Sequence, residues 1–120
     1  MPQTGFPTVF ADLRALYAAH EPDCVVLADT PGRYILGSQW VRPKDGYRVW
    51  FGGVEIGKAY VSAHLMPIYV CPEMVVPEGL RTRMQGKSCF NFTRPDPALF
   101  AELKALIEAG AARFRDLGYL

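Results

Sequence analysis

Residues 24–69 read CVVLADTPGRYILGSQWVRPKDGYRVWFGGVEIGKAYVSAHLMPIY, and this stretch decides the fold. Four strand-like runs lie in it: Cys24 to Asp29 (CVVLAD), Arg33 to Trp40 (RYILGSQW), Tyr47 to Ile56 (YRVWFGGVEI) and Lys58 to Tyr69. Thr30-Pro31-Gly32 and Pro43-Lys44-Asp45-Gly46 read as turns between them. Turns this short imply antiparallel hairpins, because a parallel crossover needs about a dozen residues or more. Gly52-Gly53 inside the third run is open to two readings, a bulge or an earlier turn.

Upstream of this sheet, Thr8 is placed to cap a helix after Pro7. Phe10, Leu13, Leu16 and Tyr17 fall at helical spacing, and Pro22 stops the pattern. Downstream, Pro72 to Gln85 reads as two short helical pieces split by Pro77, the second ended by Gly86. Lys87 to Thr93 (KSCFNFT) reads as a fifth strand. In the last element Asp96 is an N-cap and Pro97 the first helical residue. Leu99, Leu103, Leu106, Gly110, Phe114 and Leu117 then recur every three or four residues, Ile107 widens the stripe, and Gly118 closes it. The expected order is α-β-β-β-β-α-β-α. It describes a two-layer α+β domain over residues 1–120, with an antiparallel sheet of about five strands and both terminal helices on one face. Disorder is expected only in the first few residues.

The chain has 120 residues, 13 Lys+Arg against 12 Asp+Glu, a formal net charge of +1, and a hydrophobic half. A chain of this size buries roughly two-thirds of its unfolded surface, enough for a core. Balanced charge argues against a nucleic-acid binder, which needs a basic face. Cys24, Cys71 and Cys89 are odd in number and widely spaced, which fits a reducing cytoplasm. No secretory leader is expected from the first seven residues, and no apolar run approaches the roughly 20 residues of a membrane span, so no membrane partner is expected.

Alternation sorts the strand residues into two faces. Val61, Ala63, Leu65, Phe90 and Phe92 are assigned to the helix-covered core. The opposite face then carries Tyr60, Ser62, His64, Lys87, Cys89 and Asn91, with Trp50 and Arg48 nearby if the third strand keeps its parity. Aromatic rings, an imidazole, a thiol and an amide on one face suit a small ligand or a protein partner, including a second copy in a homodimer. An ordinary solvated sheet side explains them too. His64 with Cys89 suggests a thiol-dependent enzyme, although a lone buried cysteine is more often a small hydrophobe, and no catalytic residue is assigned.

Other motifs are weaker. Gly86-Lys87-Ser88 imitates a phosphate loop, but Arg81 stands where the first glycine belongs, and the order is helix then strand. Arg81, Arg83, Lys87 and Arg94 make a basic cluster that suits an anion or, more simply, a solvated face paired with Glu73 and Glu78. Residues 1–30 hold four acids, Asp12, Glu21, Asp23 and Asp29, against Arg14 alone, a local balance of −3. No cofactor is expected, and the scattered His and Cys lack zinc spacing.

Lys58-Ala59-Tyr60-Val61-Ser62-Ala63-His64-Leu65-Met66-Pro67 and Arg83-Met84-Gln85-Gly86-Lys87-Ser88-Cys89-Phe90-Asn91-Phe92 carry a resemblance. Both segments resemble the YdhG-like family, small bacterial domains of largely unknown function, and the likeness extends from about the first helix to the last. The resemblance implies a compact α+β fold with an antiparallel sheet. Through relatives labelled frataxin-like iron chaperones, it also implies weak iron binding by the acidic N-terminal segment, where Asp12, Glu21, Asp23 and Asp29 are the matching residues.

Overall fold

The computed structural model describes residues 5–120; the disorder expected for the first few residues lies outside them. Helix α1 spans Phe6–Ala18, and the strands β1 (Val25–Thr30), β2 (Arg33–Val41), β3 (Arg48–Ile56) and β4 (Val61–Leu65) follow. Helices α2 (Pro67–Val70) and α3 (Glu78–Arg81), strands β5 (Met84–Gln85) and β6 (Cys89–Phe92), and helix α4 (Pro97–Asp116) complete the order. The sheet has six strands in the order β1-β2-β3-β4-β6-β5, every neighbouring pair antiparallel. The α+β architecture is as the alternation and turn signals lead one to expect.

Several boundaries move, each for a local reason. Helix α1 starts at Phe6, two residues before Thr8, with Gly5 at its cap and no side-chain cap bond. Pro7 fits the first turn, where its missing N–H costs nothing. The fourth strand stops at Leu65 rather than Tyr69, because Pro67 opens a helical turn that returns toward α4. Of the two helical pieces expected over 72–85, only Glu78–Arg81 is helical. Met84–Gln85 instead pairs with Phe90 and Cys89 as a sixth strand, and Gly86, at φ +75°, turns the chain between them. Lys87 therefore lies in that turn, outside β6.

The core is apolar and continuous between the helices and one sheet face. Phe6, Val9, Phe10, Leu13 and Tyr17 from α1 meet Phe51, Val54, Val61, Ala63, Leu65, Phe90 and Phe92 from the strands. In α4 the buried stripe is Phe100, Leu103, Leu106, Ile107, Gly110, Ala111 and Phe114. Phe100 replaces Leu99 at its start, with its ring edge-on to Phe92 at 5.0 Å. Leu117 is exposed, beyond the last buried turn. The cap reads as expected, Asp96 Oδ1 accepting from the Leu99 N–H at 3.1 Å. Beyond α4 the chain is pinned by Tyr119, whose ring stacks on Trp40 at 5.1 Å and whose carbonyl accepts from Gln39 N–H.

Gly52 and Gly53 form no turn; they sit in mid-strand. A Cβ at Gly52 would meet the His64 carbonyl at 2.3 Å, and one at Gly53 the Tyr34 carbonyl at 2.1 Å. The bulge lies beside them. Leu36 pairs with Gly52 and Gly37 with Trp50, so Phe51 is the extra residue.

Candidate functional site

Helices α2 and α3 both pack on α4, and α4 on α1, which leaves the second sheet face without a helix layer. Cross-strand register arranges that face in rows. One row runs Arg33, Glu55, Ser62, Asn91; the next runs Ile35, Gly53, His64, Cys89, Gln85. Trp50 belongs to the same face, because the slip at Phe51 shifts parity by one between Trp50 and Gly53. Arg48 stands beside it, and its Nη1 donates to the Ser38 carbonyl at 2.8 Å.

The side chains on these rows bond to one another. Arg33 Nε donates to Glu55 Oε2 at 2.7 Å, and Glu55 Oε1 lies 3.1 Å from His64 Nε2. The edge of the His64 imidazole meets Trp50, with centroids 6.2 Å apart. Ser62 Oγ donates to Asn91 Oδ1 at 2.9 Å, and the Cys89 thiol approaches the same oxygen at 3.5 Å. Asn91 Nδ2 and the Tyr60 hydroxyl both donate to Gln85 Oε1, at 2.7 and 3.0 Å. Six of the expected residues thus share one surface in two bonded groups on adjacent rows, Trp50 and His64 with Glu55, and Tyr60, Ser62, Cys89 and Asn91 with Gln85. Lys87 does not join them; the turn at Gly86 carries it toward the helix side.

Glu55, Arg33 and Gln85 are the site residues that sequence reasoning missed. Counting by twos from Trp50 lands on Gly52 and Val54, so Glu55 reads as facing the core. Gln85 reads as helical because two residues are too few to show alternation.

Register sets His64 directly opposite Cys89, yet its Nε2 pairs with Glu55. Burial pushes the Cys89 thiol above its ordinary range and the Glu55 charge adds to this, while the Ser62 hydrogen bond opposes both. The thiol is therefore protonated at neutral pH and is a poor nucleophile.

The four N-terminal acids are separated and three have partners. Asp29 pairs with Arg14 at 3.1 Å, and Asp23 with Arg115 at 3.2 Å. Glu21 Oε1 accepts from the Tyr34 hydroxyl at 2.5 Å. Asp12 is exposed on α1. Among the described residues no three His, Cys, Asp or Glu side chains are grouped to hold a metal ion.

Two concavities flank β5. A shallow hollow of about 370 Å³ at the end of the polar network is lined by Tyr60, Thr82, Arg83, Met84, Gln85, Asn91 and Thr93. A larger open groove of about 900 Å³ lies on the helix side, between α2, the loop at 72–76 and the turn after β5. Tyr69 and Val75 stand exposed beside it, at 58% and 79%. Among the described residues no helix is long and apolar enough to cross a membrane. The chain matches no protein-family model, no curated protein and no solved structure.

Proposed function

We propose that this chain is a non-enzymatic binding domain of the cytoplasm, using the open sheet face to hold a small planar ligand with both donor and acceptor groups. One observation carries the reading: the hydrogen-bonded network Ser62–Asn91–Gln85–Tyr60 ends in the hollow beside β5. Such a network holds its amides in fixed orientation, so a ligand meets donors and acceptors already aimed. Gln85 Nε2 supplies donors, and the Tyr60 oxygen accepts. The Arg83 side chain adds a cation at the wall. Three free thiols, Cys24, Cys71 and Cys89, suit a reducing compartment.

Amide-resolved NMR against a library of planar heteroaromatic fragments tests this. Saturable shifts confined to residues 60–64, 82–85 and 89–93, lost in Asn91→Leu, are the expected result. Shifts scattered over the molecule, or a dimer contact covering the hollow in solution, would overturn it.

A further inference from the structure

We infer that the groove on the helix side of β5 is a separate binding site for an amphiphilic anion, a medium-length hydrocarbon chain ending in a carboxylate. Its floor is apolar: Ile68 from α2, Met74 and Val76 from the following loop, and Met84 from β5. Two cations, Arg81 and Lys87, also line it, from the end of α3 and from the turn after β5.

Charge complementarity points to the occupant. Glu73 and Glu78 are the acids nearest in sequence to these bases. Glu73 turns away and binds Arg113 Nη1 at 3.0 Å, and Glu78 makes no ion pair among the described residues. The Arg81 and Lys87 side chains likewise have neither hydrogen bond nor ion pair among the described residues. An apolar floor with two uncompensated cations at its margin favours a ligand that is apolar along its length and anionic at its end. A bare anion would waste the floor, and a neutral hydrocarbon would leave the cations unmatched. Two methionines in the floor suit a flexible chain, because their unbranched side chains repack around it.

The site is independent of the polar network. The Lys87 and Arg81 side chains make no hydrogen bond to its members. Met84, which pairs with the core residue Phe90, lines both the hollow and the groove, so Met74 is the methyl that tells the two sites apart. A failure of the sheet-face reading leaves this one standing, and the reverse holds.

Decanoate, 1-decanol and acetate, each below micelle-forming concentration, are the probes. The readout is the methyl resonances of Met74 and Met84 in the full chain. Decanoate is expected to shift both methyls saturably, about tenfold more tightly than decanol, with acetate weaker than either. The double variant R81Q/K87Q is expected to bring decanoate affinity down to that of decanol and to leave decanol within about twofold. Equal affinity of decanoate and decanol for the wild-type chain would overturn the inference, as would acetate matching decanoate. So would shifts appearing at residues 60–64 instead of at the two methionines. The wild-type comparison alone decides the matter if the double variant does not fold.

Discussion

At the scale of single residues, backbone approach and hydrogen-bond partnership set what each side chain can do. Gly53 lets the Tyr34 carbonyl come within a distance that any Cβ would block, so Gly53→Ala is expected to destabilise the chain by about 3 kcal/mol or more in urea unfolding. A change below about 1 kcal/mol would show that the strands can part there at little cost. Gly52 serves a related purpose: a Cβ there would press on Tyr17, whose hydroxyl donates to the His64 carbonyl at 2.8 Å and ties α1 to the sheet. Cys89 is held protonated by burial, so its alkylation by iodoacetamide at pH 7.5 is expected to run several-fold slower than that of a free thiol. Rapid, His64-dependent alkylation would restore the thiol-enzyme reading. The residues of the polar face were legible singly, since strict alternation in Val61–Leu65 and Cys89–Phe92 marks which side chains leave the core. Their partners were not, because one bulge at Phe51 inverts the parity on which Glu55 would have been counted.

Elements owe their positions to caps and close contacts. Removing the α4 cap by Asp96→Ala leaves the Leu99 N–H without its acceptor and is expected to cost about 1 kcal/mol, measured by thermal or urea unfolding. An unchanged midpoint would mean that water replaces the cap freely. Where α2 crosses α4, a Cβ on Gly110 would stand 3.0 Å from the Pro67 ring, so little room separates the two elements. Gly110→Leu is expected to displace α2 and cost about 1–3 kcal/mol, and the groove floor at Ile68 should shift with it. Methyl shifts at Ile68 that match the wild type would contradict this coupling. Helix α4 was the most legible element, because cap, proline and periodic apolar stripe all lie within one segment. The tail of the fourth run was the least legible. His64-Leu65-Met66-Pro67-Ile68-Tyr69 is apolar enough for a strand, and only the packing of Pro67 against Gly110 shows why it turns into a helix instead.

For the whole molecule, near-neutral net charge conceals a divided surface. Three of the four N-terminal acids are held by Arg14, Arg115 and Tyr34, whereas the Arg81 and Lys87 side chains beside the groove are not matched. His20 couples this balance to pH. It is buried against Phe51 at 5.7 Å, and burial lowers its pKa below the ordinary 6.5, helped by Arg115 and opposed by Glu108 and Asp23. A lowered folded-state pKa means the unfolded chain takes up the proton first. The His20 contribution is therefore complete above about pH 6.5 and is lost as pH falls toward the folded value. His20→Gln should flatten the decline in unfolding free energy between about pH 7 and about pH 5. An unaltered decline would assign it to other groups. The order of the two long helices and of five of the six strands was legible in the sequence, because periodicity, caps and turn residues act over a few neighbouring positions. The joined polar face, the sixth strand and the groove were decided only by tertiary structure. The polar face depends on register between strands distant in the chain, which the extra residue at Phe51 shifts. The sixth strand is a two-residue pairing across the turn at Gly86, too short to show alternation. The groove needs α2, held close to α4 at Gly110.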